Sequence, residues 1–273
     1  MDKFLKSRII SSLVLVVLCA FVLFERGWIS NIIFLFCFFI ALYELRVAIG
    51  LYRIETYVLS SILFIFTTFV FDFSMFSPVY QASIFAYVFI LLVYDMFVVK
   101  EGIPYVGLNL FSYFYVSVPI FIFNALLKGS EVKLYPYTKN MEFILWIFLI
   151  SISTDVFAFI IGTLFGKKKL IESISPKKTV EGAIGAVIVT VLVCCIYRIF
   201  FIKSVTLINV IVASLFASIF AQIGDLAGSY IKRQAGIKDF SNIIPGHGGI
   251  MDRFDSIFVV SVFIYIVYVL NIL

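Results

Sequence analysis

Histidine and charge are what this sequence has least of. One His stands among 273 residues, and Asp, Glu, Lys and Arg together make up only 14%. This scarcity excludes a His-rich zinc or haem site. The four cysteines lie within apolar runs without CxxC spacing, so we interpret them as small hydrophobic residues and not as redox groups: Cys19, Cys37, Cys194 and Cys195.

Apolar residues fill the rest of the chain. Hydrophobic residues make up 63% of it, far above the content of a soluble domain. Because a membrane-spanning helix needs about 20 apolar residues, the sequence predicts an all-α, polytopic integral membrane protein with about nine transmembrane helices. The predicted spans are 9–24, 28–46, 57–73, 78–99, 106–127, 141–166, 183–202, 206–226 and 256–273.

The first apolar run follows Lys3, Lys6 and Arg8 and so resembles a signal peptide. However, no small-residue cleavage box precedes a polar domain, and the next apolar run begins at Trp28. We therefore expect the first run to remain as a span.

The basic residues are distributed unequally between the two sides of the predicted bundle. With the N-terminus in the cytoplasm, all 21 Lys and Arg residues fall inside except Arg26, Lys128, Lys133, Lys139, Arg198 and Lys203. This asymmetry follows the positive-inside rule and predicts a C-terminus outside. The net charge of +5 is then a topology signal and not a nucleic-acid footprint. We expect a multi-pass protein of a bacterial inner membrane.

The two halves of the chain differ in kind. Residues 1–140 carry little functional signal, and we place Glu44, Asp72 and Asp95 at the membrane interface because a carboxylate is costly at the bilayer centre. Residues 141–273 contain two polar loops, 167–182 and 227–255, which are predicted to face the cytoplasm. This half is the predicted catalytic region, with its active site on the cytoplasmic side.

The second polar loop begins with a possible functional helix face. If the helix continues past Leu226, then Asp225, Ser229 and Lys232 stand at i, i+4 and i+7 and share one face. The alternative is a helix end at which Lys232 reaches the membrane surface.

Further along the same loop, Gly246, Gly248 and Gly249 surround the single histidine, His247. Such a turn lets backbone N–H groups approach an anion, although glycine also serves ordinary tight turns. Asp252, Arg253 and Asp255 follow at once. Carboxylates beside strong cations and an anion-binding turn are typical of a magnesium and phosphate site.

Two further groups support that interpretation. Asp155 lies deep in an apolar run and needs a metal or a cation as partner, unless it is a proton-relay carboxylate. The loop 167–182 adds phosphate-binding candidates, namely Lys177, Lys178, Thr179 and Glu181, although a purely topological loop would also be rich in lysine. Gly162 to Lys167 is not a Walker A loop, so an ATPase is unsupported.

The sequence from Ser229 to Asp255, SYIKRQAGIKDFSNIIPGHGGIMDRFD, resembles the full signature of the phosphatidate cytidylyltransferases, or CDP-diglyceride synthases. Upstream, similarity to the same family extends over Asp155, Ala158, Phe159, Gly162, Ser175 to Thr179, Glu181 and Gly182. The resemblance implies transfer of CMP from CTP to phosphatidic acid with release of pyrophosphate. It also implies Mg²⁺ as cofactor, an all-helical membrane fold and a homodimer.

Specific residues follow from the residue analysis together with this resemblance. The expected catalytic residues are Ser229, Lys232, Arg233, Lys238, His247 and Arg253. The expected substrate-binding residues are Lys177, Lys178, Thr179, Glu181, Gly246, Gly248 and Gly249. The expected metal ligands are Asp225, Asp252, Asp155 and Asp255. Lys168 and Lys169 are expected mainly to fix topology and attract anionic lipid.

Two other classes of protein stay open at this point. In an ion-coupled transporter, Asp155 and Asp225 would be ion ligands within the membrane, but a transporter does not require the glycine-rich turn with clustered cations. Another membrane lipid phosphotransferase, such as a prenol kinase, is also possible. The spaced-Asp motif of the CDP-alcohol phosphotransferases is absent.

Overall fold

The computed structural model describes residues 28–69, 78–128, 138–202 and 205–270. A short π-helix, Asp95–Val99, directly follows the third helix. The α-helices are α1 (Trp28–Ala48), α2 (Ile54–Phe69), α3 (Pro78–Tyr94), α4 (Ile103–Lys128), α5 (Thr138–Phe165), α6 (Val180–Phe200), α7 (Leu207–Gln234) and α8 (Met251–Val269).

The helices agree with the apolar runs of the sequence. Six of the described helical segments, including α3 with its π extension, are long and apolar enough to cross a membrane. Helix α2 is apolar but has only 16 residues. The predicted span 9–24 lies outside the described residues. An integral membrane protein is therefore confirmed, on fewer candidate spans than the sequence predicts.

The described residues are mostly helical, as predicted, and a β-hairpin adds to the helices. Strands β1 (Lys169–Ile171) and β2 (Ser175–Thr179) pair antiparallel within the predicted loop 167–182, between α5 and α6. Lys169 lies opposite Thr179, and Ile171 opposite Ser175. The hairpin fixes a basic segment that the sequence presented only as a loop.

The chain forms two compact units. The first comprises Met1–Ser130 together with Asp239–Met251. Phe38 of α1 stacks on Phe64 of α2 with ring centroids 3.7 Å apart. Buried Arg46 donates to Asn109 Oδ1 at 2.6 Å and to Thr56 Oγ1 at 2.6 Å, so its charge is met by polar groups of α4 and α2.

Two carboxylates of this unit are more deeply buried than predicted. Glu44 is 1% exposed and Asp95 is 7% exposed, so both side chains are buried within the protein although they stand near the ends of their helical segments. The physical reason is that each accepts backbone N–H groups that would otherwise be unpaired. Asp95 accepts from Glu101 N at 3.1 Å and Gly102 N at 2.9 Å, where the chain turns into α4. Asp72 lies outside the described residues.

The second unit comprises Glu131–Lys238 and Asp252–Leu273. Buried hydroxyls join its helices: Thr154 of α5 lies 3.2 Å from Thr190 Oγ1 and 2.8 Å from Ser218 Oγ. Trp146 Nε1 donates to Ser214 Oγ at 3.2 Å. Such bonds hold helices together in lipid, where apolar packing alone gives little preference. The contacts of Thr154 hold α5 against α6 and α7 at the residue directly before Asp155.

Candidate active site

Helices α5 and α6 approach each other closely next to the hairpin, at Gly162 and Gly182. A Cβ on Gly182 would lie 2.9 Å from the Cα of Gly162, so the approach depends on glycine at these positions. Thr179 has an extended backbone and caps α6, accepting from Gly182 N at 3.2 Å. The close approach and the cap together hold β2 against the end of α5.

A cavity of about 610 Å³ lies in the second unit and is lined by α5, the hairpin, the first turn of α6, α7 and the beginning of α8. It brings together eight of the predicted site residues from four segments of the chain. These are Asp155, Lys177, Lys178, Thr179, Asp225, Asp252, Arg253 and Asp255. The sequence prediction that these segments form one site is consistent with this arrangement.

Two ion pairs hold the polar walls of the cavity. Lys178 of the hairpin pairs with Asp225 of α7. Lys232, about two turns further along the same face of α7, donates to Asp252 Oδ1 at 2.6 Å. The side chain of Asp252 is only 3% exposed, so its charge depends on this partner. The pairs join the hairpin to α7 and α7 to α8.

Asp155 and Asp255 complete the acidic wall. Asp155 interacts electrostatically with Asp225, Lys178 and Arg253, and bonds to Ser256. Asp255 is 6% exposed, interacts with Asp225 and Lys232, and accepts from Ser256 N at 2.7 Å. Carboxylates that interact with one another in this way are stabilised by a nearby cation.

Other predicted residues of this unit lie outside the cavity lining. Helix α7 does continue past Leu226, as expected for a shared face, but Ser229 and Lys232 do not line the cavity. Lys238 is exposed and also lies outside the lining. Arg233 donates to the carbonyls of Ile174 at 3.4 Å and Ile237 at 3.1 Å, which ties the hairpin turn to the end of α7.

Glu181 has a structural partner in the backbone. Its carboxylate accepts from Lys167 N at 2.9 Å and from Lys168 N at 3.2 Å. Because it does not line the cavity, its visible contacts hold the base of the hairpin. This geometry supports a positioning role more than the predicted contact with substrate.

The glycine-rich turn belongs to the first unit. Ile244 pairs with Gly248, and the Ile244 carbonyl accepts from His247 N at 2.9 Å. Gly246 and Gly248 have φ values of 76° and 85°, which L side chains rarely adopt. These two glycines are therefore explained by the turn itself. The predicted catalytic role of His247 stays a prediction.

Several residues that were not predicted as site residues also line the cavity, among them Lys169, Gln222 and Phe159. Lys169, expected mainly to fix topology and attract anionic lipid, also lines the cavity and donates to Pro176 O at 2.6 Å. Gln222 lines it one turn before Asp225, and donates to Ala183 O at 3.2 Å. Its i, i+3 spacing from Asp225 was the available signal. Phe159 adds an apolar wall.

Comparison with known proteins identifies the family to which the chain belongs. The family model of the cytidylyltransferase family matches residues 6–271. The chain belongs to this family. It is 42% identical over 136 residues to a phosphatidate cytidylyltransferase of Staphylococcus saprophyticus, covering 50% of each chain.

Two further relatives carry the same name. One from Bacillus subtilis is 40% identical over 126 residues, which is 46% of this chain and 47% of the relative. One from Staphylococcus haemolyticus is 37% identical over 172 residues, covering 63% and 56% respectively. The matched part thus spans about half the length of these curated relatives. Membership of this family does not favour the transporter alternative.

The carboxylates of the cavity fit a Mg²⁺ site. The described residues contain no group of three or more His, Cys, Asp or Glu side chains arranged as a ready metal cage. Mg²⁺ does not require one, because it is commonly held by one or two carboxylates together with phosphates and water. Asp225 interacts electrostatically with Asp155 and with Asp255, and each of these carboxylates is an oxygen ligand of the type that Mg²⁺ prefers.

The contacts of Glu181 generate a prediction about the hairpin. Replacing Glu181 by Ala removes the acceptor for Lys167 N and Lys168 N, so these amides should exchange with solvent several-fold faster. Hydrogen exchange of the peptide 166–170 measures this, with the exposed Glu172→Ala as matched control. Unchanged exchange in Glu181→Ala would show that its carboxylate does not hold the hairpin.

Proposed function

We propose that this protein is a phosphatidate cytidylyltransferase, which joins the CMP moiety of CTP to phosphatidic acid and forms CDP-diacylglycerol and pyrophosphate. The observation that carries the proposal is the cavity of the second unit. It is lined by carboxylates and by basic side chains and lies at the ends of apolar helices. Family membership and the names of the relatives support the same reaction.

The charges of the cavity suit a reaction between two polyanions. Asp155, Asp225, Asp252 and Asp255 are its acidic lining residues, and Lys169, Lys177, Lys178 and Arg253 are its basic ones. Because these charges balance, the cavity alone cannot neutralise a triphosphate. Bound Mg²⁺, held by Asp225 and Asp252 with Asp155 or Asp255, would offset phosphate charge and act as a Lewis acid.

The reaction itself needs little proton transfer. An oxygen of the phosphatidate phosphate attacks the α-phosphorus of CTP, a new P–O bond forms, and the bond to the β-phosphate oxygen breaks to release pyrophosphate. The attacking oxygen is already anionic, so no strong base is required. Lys177, Lys178 and Arg253 would stabilise the charge on the transferred phosphoryl group and on the leaving pyrophosphate.

The apolar side of the cavity suits a lipid substrate. Phe159 is 73% exposed, and it lines the cavity with Ala158 and Leu170. Diacyl chains could remain in the bilayer while the phosphate reaches the lysines. A cavity at the end of membrane helices is therefore suited to a lipid phosphate and a water-soluble nucleotide.

The membrane arrangement is part of the proposal. The Lys and Arg asymmetry supports about nine spans, with the polar loops 167–182 and 227–255 facing the cytoplasm. The bacterial relatives support a location in the bacterial inner membrane. A homodimer, as the family resemblance implies, is included in the proposal.

A direct assay tests the function. Purified protein is incubated in mixed micelles with labelled CTP, phosphatidic acid and Mg²⁺, and the products are separated into lipid and water-soluble fractions. We expect label in a lipid when it is carried on cytosine, and in pyrophosphate when it is carried on the γ-phosphate. Absence of labelled lipid with folded protein at all Mg²⁺ concentrations would refute the proposal.

The two kinds of basic residue should respond differently to substitution. Arg253→Lys keeps the positive charge but loses the planar, two-pronged donor, so we expect a loss of about tenfold or more in kcat. Lys168→Ala should stay near wild type, because its exposed side chain lies outside the cavity lining. Steady-state kinetics with CTP and phosphatidic acid varied separately measures both. Equal losses would show that overall positive charge, not a placed guanidinium, supports turnover.

A further inference from the structure

Glu44 is a buried carboxylate for which the proposed reaction has no use. It stands in the last two turns of α1 and is 1% exposed. Its carboxylate accepts three hydrogen bonds from a segment that lies about 200 residues further along the chain. The donors are Ser241 Oγ at 2.5 Å, Ile250 N at 3.2 Å and Met251 N at 2.9 Å. Both ends of the glycine-rich segment 241–251 are therefore held by one side chain.

Two of these bonds lie at the beginning of a helix. Helix α8 begins at Met251, and the first N–H groups of any helix lack partners within the helix and form its positive end. Ile250, the residue before α8, has no side-chain acceptor with which to cap it. Glu44 supplies the charged acceptor from α1 instead. A negatively charged group at this point stabilises the helix start.

The fit around Glu44 also explains one glycine of the signature. A Cβ on Gly249 would lie 2.6 Å from Cδ of Glu44, which is closer than side chains normally pack. Gly249 is not among the glycines with positive φ, unlike Gly246 and Gly248. Its small size is therefore required by the carboxylate and not by the backbone conformation. The sequence analysis predicted Gly249 as a substrate-binding residue, whereas its visible neighbour is the Glu44 carboxylate.

Other charged groups nearby have partners of their own. Arg46 on the same helix donates to Asn109, Thr56 and Arg53 O. Among the described residues, the salt bridges are Lys178 to Asp225 and Lys232 to Asp252, so Glu44 is stabilised by hydrogen bonds and not by an ion pair. Removing such a carboxylate would leave buried N–H donors without an acceptor.

We propose that Glu44 is a positioning residue, which fixes the segment 241–251 as far as Met251, the first residue of α8. Met251 is bonded to Glu44 and is followed directly in the chain by Asp252 and Arg253. The backbone of Asp252 and Arg253 therefore continues directly from Met251, which is held by Glu44. The catalytic part of this inference rests on the proposed cytidylyl transfer.

Three variants test the inference. Glu44→Gln keeps the size of the side chain but removes its charge and replaces one of its two acceptor oxygens by a donor NH₂ group. Glu44→Asp keeps the charge and shortens the side chain. Gly249→Ala places a methyl group against the carboxylate. The exposed Glu55→Gln of α2 is the matched control, because it removes the same charge away from this segment.

The kinetic readout separates positioning from general stability. We expect kcat per folded molecule to fall ten- to a hundredfold in Glu44→Gln, with KM for CTP and phosphatidic acid changed little, because small misplacement acts mainly on the transition state. Combining Glu44→Asp with Gly249→Ala should cost less than the two single losses combined, since the shorter acid leaves room for the methyl group. Wild-type kcat per folded molecule in Glu44→Gln would overturn the proposal.

A second readout does not depend on turnover. Hydrogen exchange of a peptide covering 249–253 should become at least tenfold faster in Glu44→Gln and stay unchanged in Glu55→Gln. Unchanged exchange in Glu44→Gln would refute the anchoring contact. If the wild-type protein made no lipid product from CTP, the proposed function would fail, whereas the exchange result would still decide whether Glu44 holds this segment.

Discussion

The neutralisation of charge at the ends of membrane helices is the constraint on which this structure depends. Carboxylates are expensive near lipid unless a cation or several donors meet them. Asp225 and Asp252 are met by Lys178 and Lys232. These pairs link the hairpin, α7 and α8, so charge pairing also determines the shape of the cavity. Its acidic and basic walls remain close together and available to a charged substrate.

Glycines and backbone caps make this arrangement possible. Gly162 and Gly182 let α5 and α6 approach each other, and Thr179 caps α6 at that point. Glu181 holds the backbone of Lys167 and Lys168, which begins the hairpin. Local polar contacts therefore orient a basic segment that would otherwise be a solvated loop.

The sequence was sufficient to predict most of the helices and the main components of the candidate site. Long apolar runs predicted the described helices, and α7 extends through Ser229 and Lys232 as their spacing required. Asp155, Lys178, Asp225 and Asp252 meet in one cavity. Motif spacing was informative for Asp225 and Asp252, which lie near the ends of predicted spans, whereas Asp155 was signalled by its depth within an apolar run.

The remaining features depend on tertiary contacts that no local pattern encodes. A lysine-rich loop does not reveal that Lys169 pairs across a hairpin and lines a cavity. Glu44 near a span end resembles an interfacial carboxylate until its distant partners, Ser241 and Met251, are known. Likewise, Gly249 looks like a member of an anion-binding turn until the neighbouring carboxylate is seen.

We propose that the cavity carboxylates serve catalysis and not only folding. The decisive measurement is the rate of CTP-dependent lipid formation in Asp225→Asn over a wide range of Mg²⁺ concentrations, per molecule of folded, inserted protein. We expect a loss of about a hundredfold or more that added Mg²⁺ does not restore, because an amide is a poor ligand for this ion. Near wild-type rates in Asp225→Asn throughout the titration would contradict it.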